Sequence, residues 1–114
     1  MCYDYLMKTA LNPNEKILKT SAANLQRGPE TVGGRLFLTN KRLIFEAHAL
    51  NLQAQPEETP FDDISDISFG WTHFLGKYPV FPNMMSIHTH SAQYDFTIWH
   101  RQKWAKAIFA AKKA

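Results

Sequence analysis

From Glu15 onward, short apolar stretches alternate with turn-forming residues, and the period of that alternation changes once, near residue 100. Ile17, Leu18, Ala22, Ala23 and Leu25 mark a first strand within 15–25. It is closed by Gln26-Arg27-Gly28-Pro29-Glu30, where adjoining Gly and Pro signal a turn. Gly33-Gly34 opens a second strand over 35–39, and 42–46 reads as its antiparallel partner. Asn40-Lys41 then forms a two-residue loop, since Asn tolerates the left-handed backbone such loops demand. In both strands apolar residues occupy both parities: Leu36 and Leu38 against Phe37, Leu43 and Phe45 against Ile44. A hairpin of that pattern is central, with both faces covered.

Residues 47–60 are polar and hold Pro56 and Pro60, so they read as a long loop or a weak edge strand. Phe61-Asp62-Asp63-Ile64 leads into a strand over 67–71, and 76–83 reads as a loop punctuated by Pro79 and Pro82. Met85, Ile87 and Thr89 then alternate with Ser86, His88 and His90. After Ser91-Ala92 the alternation resumes, with Tyr94, Phe96 and Ile98 facing a core and Asp95 and Thr97 facing out. Trp104, Ala107, Ile108 and Ala111 instead fall at i, i+3, i+4, i+7, one stripe of a helix over 101–113. Six or seven strands followed by one helix predict a closed or nearly closed antiparallel barrel, plugged at one end by the helix.

The length of 114 residues gives one domain, and it is enough to bury a core without staples. Cys2 is the lone cysteine, which excludes an internal disulfide framework and a zinc site built mainly from thiolates. No apolar run approaches the roughly 18 residues of a membrane span. Asp4 and Lys8 interrupt the N-terminus, so it does not read as a secretory signal, and the expected location is the cytoplasm. The formal net charge of +3 is unevenly spread: +3 over 27–42, −5 over 57–66 and +5 beyond residue 100. A chain of opposite patches gives no support to a nucleic-acid partner.

The segment Gly34-Arg35-Leu36-Phe37-Leu38-Thr39-Asn40-Lys41-Arg42-Leu43-Ile44-Phe45 resembles the signature hairpin of GRAM domains, members of the pleckstrin-homology-like superfold. Asn14-Glu15-Lys16-Ile17-Leu18, Pro60-Phe61-Asp62-Asp63-Ile64, Pro82-Asn83, Tyr94-x-Phe96 and Trp104 also match. The resemblance covers roughly 14–110 and implies a mainly β fold: a bent antiparallel seven-stranded barrel or sandwich capped by one C-terminal α-helix. It implies a lead-in over 1–13, a GRAM domain over 14–114, and a small module standing almost alone. It further implies a binding module without cofactor or catalysis, whose partners are proteins or anionic lipids. Ser91-Ala92 replaces the glycine often found in the last hairpin of the family, which leaves that turn unexplained.

Three groups of residues are candidates for contact. Arg35, Lys41 and Arg42 at the first hairpin offer forked and point-charge donors to a lipid headgroup. The structural alternative, pairing with neighbouring carboxylates at a solvated tip, is favoured because these residues belong to the hairpin signature. Trp71, Phe74, Leu75, Lys77, Tyr78 and Phe81 form an aromatic-rich stretch with Phe69 and Val80. At least half of such a stretch belongs to packing, yet it holds more large apolar side chains than a small core absorbs. An exposed patch here, serving protein partners, self-association or a peripheral place at a membrane, is the leading expectation. The basic face of the final helix is a further lipid-contact candidate, with a solvated face the favoured reading.

His88 and His90 lie two apart on a strand and, with His73 or His100, would build a metal-dependent protein or small enzyme, the alternative function. An exposed strand face is the favoured reading of these histidines, so no metal site is expected. The acidic run over 57–66 lacks the glycine and closing glutamate of a calcium loop. No HExxH, nucleophile elbow or phosphate-cradling loop is present, and the chain is expected not to be an enzyme.

Overall fold

A computed structural model describes residues 9–27, 30–47, 56–74 and 78–113, with only the backbone given for 27, 72–74 and 78–82. It contains β1 (Ile17–Arg27), β2 (Glu30–Thr39), β3 (Arg42–Ala47), β4 (Glu57–Pro60), β5 (Ile64–Phe74), β6 (Tyr78–Thr89), β7 (Gln93–Thr97) and α1 (Arg101–Lys113). The strands form one antiparallel sheet in the order β4-β3-β2-β1-β7-β6-β5. β4 and β5 are its two margins, yet only a 3-10 turn, Phe61–Asp63, separates them in sequence. The sheet therefore curls until its margins share a corner, and the Phe45 and Phe96 rings, on β3 and β7, meet at 5.6 Å across the curl. Among the described residues no ladder joins β4 to β5, so the sheet is bent rather than closed.

Leu36, Leu38, Leu43 and Phe45 line the inside of the curl, with Met85, Ile87, Phe96 and Ile98 from the other half. Phe37 and Ile44, cross-strand partners on the outer face, are equally buried but stand outside that cluster. The central hairpin is thus covered on both faces, as its double parity predicts. Gly34 has a steric reason: a Cβ there would lie 2.3 Å from the Glu46 carbonyl oxygen and 2.9 Å from the Ala47 Cα.

Several local expectations change. Asn40 is not among the described non-glycine residues with positive φ, which are Asn14 and His100. Its value lies in the side chain, whose Oδ1 accepts from the Lys16 amide at 2.8 Å and whose Nδ2 donates to the Asn14 carbonyl at 3.1 Å. The loop expected over 76–83 becomes strand from Tyr78. Its prolines are tolerated because β6 pairs with β7 only from Met84 on, leaving one side of 78–82 without a ladder. Leu18 is exposed because the register shifts between Ile17 and Lys19.

The two tight hairpins share one device. Thr39 Oγ1 accepts from the amides of Lys41 and Arg42, both at 3.0 Å. Thr89 Oγ1 accepts from Ala92 at 2.9 Å and donates to the Ala92 carbonyl at 3.0 Å. A threonine hydroxyl organises each turn, so Ser91-Ala92 needs no glycine.

α1 buries Trp104, Ala105, Ile108 and Ala111 against the curl. Arg101 Nη1 donates to the Gly70 carbonyl at 2.6 Å and Lys112 Nζ to the Ile64 carbonyl at 2.6 Å. The helix therefore runs antiparallel along β5 and shields a sheet margin. Two of its basic residues are hydrogen-bonded to that margin.

Candidate binding surface

At the first hairpin the structure brings Lys41 and Arg42 together and leaves Arg35 apart. Arg35 sits four residues back along β2, roughly 13 Å from the tip at strand spacing. It lies opposite Glu46 and Ala22, and its buried Nε has no hydrogen-bond partner. Arg42 is fully engaged. Its Nε donates to Glu15 Oε2 at 2.9 Å, its Nη2 to Glu15 Oε1 at 3.0 Å and to the Ala10 carbonyl at 2.9 Å, and its Nη1 pairs with Glu58. Lys41 Nζ donates to the Pro13 carbonyl at 3.2 Å.

The carboxylate in that fork is itself constrained. Burial pushes the Glu15 carboxyl up, but hydrogen bonds from Arg42, Thr39 and the Asn12 amide, with the Arg42 charge, outweigh it and leave its pKa lowered to about 2. The same pair raises Arg42. Further along, Glu46 Oε2 accepts from the Thr9 amide and hydroxyl, each at 2.6 Å. Residues 9–15 are thus strapped across the outer face of β3, and the hairpin cations hold the strap.

Exposed large apolar side chains among the described residues include Leu11, Leu18 and Phe109, and three more aromatics lie near the start of α1. Phe69 is 44% exposed, Trp71 49% and Trp99 66%. Their backbones are tied around one point. Arg101, bonded to Gly70, stacks its guanidinium 5.0 Å from the centre of the Phe69 ring, and the Ile98 amide donates to the Asn83 carbonyl at 2.9 Å. His100, at φ 61°, turns the chain from β7 into α1 and accepts from the Trp104 amide at 3.0 Å. Of the sequence candidates, Trp71 belongs to this surface. The side chains of Phe74, Tyr78 and Phe81 lie outside the description, as do Leu75 and Lys77 altogether.

Phe69 and Trp99 join the surface without having been singled out for it. Trp99 was legible: it falls out of phase with Tyr94, Phe96 and Ile98, so a strand reaching it must turn it outward. Phe69 was not, since its register partner Met85 is buried while Phe69 itself is left exposed beneath the Arg101 guanidinium.

The histidines do not converge. His88 Nε2 shares a 2.7 Å hydrogen bond with Ser68 Oγ on an exposed sheet face, His90 lies in the turn after β6, and His100 lies at the helix entry. The His73 side chain is outside the description. Among the described residues no three His, Cys, Asp or Glu side chains are grouped to hold a metal. Asp95, the carboxylate on the same face, is taken by Ser86 Oγ at 2.6 Å and Gln93 Nε2 at 2.8 Å.

The profile of the GRAM domain matches residues 4–109. The chain belongs to the GRAM domain family. This GRAM domain also superimposes on solved pleckstrin-like structures. With the C-terminal domain of an unknown protein from Leishmania infantum it shares 21% identity and a TM-score of 0.70, over 90% of this chain and 88% of that one. With the Vps36 N-terminal PH domain the values are 18% and 0.66, over 91% and 83%. With the N-terminal PH domain of human ARAP2 they are 10% and 0.63, over 94% and 86%. No protein of curated function matches it. These likenesses give a GRAM domain of PH-like fold, a class whose members bind proteins or phosphoinositide lipids. None of its described helices is long and apolar enough to cross a membrane.

Proposed function

We propose that this GRAM domain is a non-catalytic, cofactor-free binding module of the cytoplasm, and that its contact surface is the aromatic end around Arg101 rather than the signature hairpin. One observation carries the reading: Phe69, Trp71 and Trp99 are exposed on segments that Arg101 ties together through Gly70, while the donors of Arg42 are consumed inside the fold. Large aromatics around an arginine are the composition of interface centres, whether the partner is a protein, a second copy or a membrane surface. Phe74, Leu75, Lys77, Tyr78 and Phe81, the other sequence candidates, follow Trp71 along the chain.

The test compares wild type with the Phe69→Ser/Trp71→Ser variant by sedimentation velocity and by flotation with lipid vesicles. Wild type is expected to self-associate or to float with vesicles, and the variant to lose that behaviour while keeping its melting temperature. A wild type that stays monomeric and free of vesicles at low salt contradicts the reading, as does a variant that associates equally well.

A further inference from the structure

We propose that residues 1–8 carry the strap on across the outer face of β2, where Asp4 supplies the carboxylate that Arg35 lacks. The starting point is an unmet donor. Arg35 Nε is buried without a hydrogen-bond partner, and among the described residues the guanidinium has no ion pair. An unpaired N–H on a buried cationic group is costly, so its acceptor is to be sought close by. The residue opposite on β3 leaves it unmet, because Glu46 turns Oε2 to the Thr9 amide and hydroxyl.

The strap leads toward this spot. Arg35 and Glu46 form the next cross-strand pair after Phe37 and Ile44 on the outer face. From Glu15 beside Arg42, the chain runs back to Thr9 beside Glu46, four residues along β3. The chain before Thr9 therefore starts out from the Arg35–Glu46 pair. Ala22 on β1 and Gly33 on β2 flank Arg35 on this face, and their small size leaves room for a crossing backbone. Asp4 is the one acidic residue in 1–8, and five residues of extended chain span about 17 Å. Paired Cα atoms lie only about 5 Å apart across a sheet, so Asp4 reaches Arg35 with chain to spare.

Chemistry selects a carboxylate. The Nε–H of an arginine and one neighbouring Nη–H form a side-on fork, which a single carboxylate fills with both oxygens. The consequence falls on the signature hairpin. Arg42 is closed by Glu15 and Lys41 by the Pro13 carbonyl, and Asp4 closes Arg35 from the same leading segment. Residues 1–15 then plug all three hairpin cations from within the chain. An outside anion reaches Arg35 only when 1–8 lift away, whatever the aromatic end contacts.

The test is a double-mutant cycle on the full chain with Asp4→Asn, Arg35→Met and the two combined, read by thermal melts. Asp4→Asn is expected to lower the melting temperature of wild type by about 5 °C and to change nothing in the Arg35→Met background. The Arg35 Nε–H resonance gives a second readout, which decides alone if Arg35→Met fails to fold. Titrated with sodium sulfate at constant ionic strength, it is expected to hold its position in wild type and to shift in Asp4→Asn. An Asp4→Asn variant as stable as wild type, or an equal loss in both backgrounds, overturns the inference. So does a sulfate shift at Arg35 as large in wild type as in the variant.

Discussion

Glu15 and Arg42 tie the residues before β1 to the first hairpin, and the tie has a pH signature. The Glu15 carboxyl falls from 4.5 to about 2 on folding. A depressed folded pKa gives stability that is complete above about 4.5 and lost as pH falls toward 2. At 1.36 kcal/mol per unit, that contribution is about 3 kcal/mol. Denaturant titrations across this window are expected to show it in wild type and not in Glu15→Gln. An identical acid profile in the variant would remove Glu15 from the explanation. Removing Arg42 instead leaves a buried carboxylate unpaired, so Arg42→Met is expected to cost about 3–5 kcal/mol at neutral pH.

Glycines separate just as sharply. Gly34→Ala drives a Cβ into backbone atoms at 2.3 and 2.9 Å, and no side chain can yield to relieve it. Gly70→Ala meets only Met84 side-chain atoms at 3.9 Å. Thermal melts are expected to show the first variant strongly destabilised or unfolded and the second near wild type.

At the scale of elements, the threonine-organised turns and the helix bonded along β5 explain how the sheet keeps its curl. Thr39 is fully buried and also donates to Glu15 Oε2 at 2.6 Å, while the Thr89 hydrogen bonds are exposed to solvent. Thr39→Ala is therefore expected to cost more than Thr89→Ala, the latter about 1 kcal/mol. Trp104, 1% exposed under the Lys19 ammonium, anchors α1, and Trp104→Ala is expected to cost about 3–5 kcal/mol.

Most of this architecture was legible from periodicity. The double parity of 35–46 located the central hairpin, and the change of period after Ile98 located the helix face. What was not legible depends on partners distant in sequence. Tyr78–Thr89 runs through two prolines because its neighbour starts late, and Leu18 turns outward at a register shift. Arg35, Lys41 and Arg42 are close in sequence, but strand geometry holds the first away from the others. No local pattern shows that the Arg42 fork is filled by Glu15, because the carboxylate arrives from 27 residues away.

On the scale of the whole molecule, charge and apolar surface are distributed unevenly. Glu15 of the strap and Glu58 of β4 offset the hairpin cations Lys41 and Arg42 on one side. The corner at Asp62, Asp63 and Asp66 is acidic, and the helix opposite its buried face is basic, with exposed aromatics at its head. A formal charge of +3 conceals this polarity. The exposed aromatics near the start of α1 mark the end proposed for contact.

The chain has three tryptophans, and they report on that end directly. Trp71 and Trp99 are exposed, and Trp104 is buried as an internal control. The deciding measurement follows their indole N–H resonances, with a soluble paramagnetic quencher, as phosphatidylserine-containing bicelles are added. The Trp71 and Trp99 signals are predicted to become shielded from the quencher while Trp104 stays unchanged. Binding that leaves Trp71 and Trp99 as accessible as in the free protein would contradict the aromatic end as the contact surface.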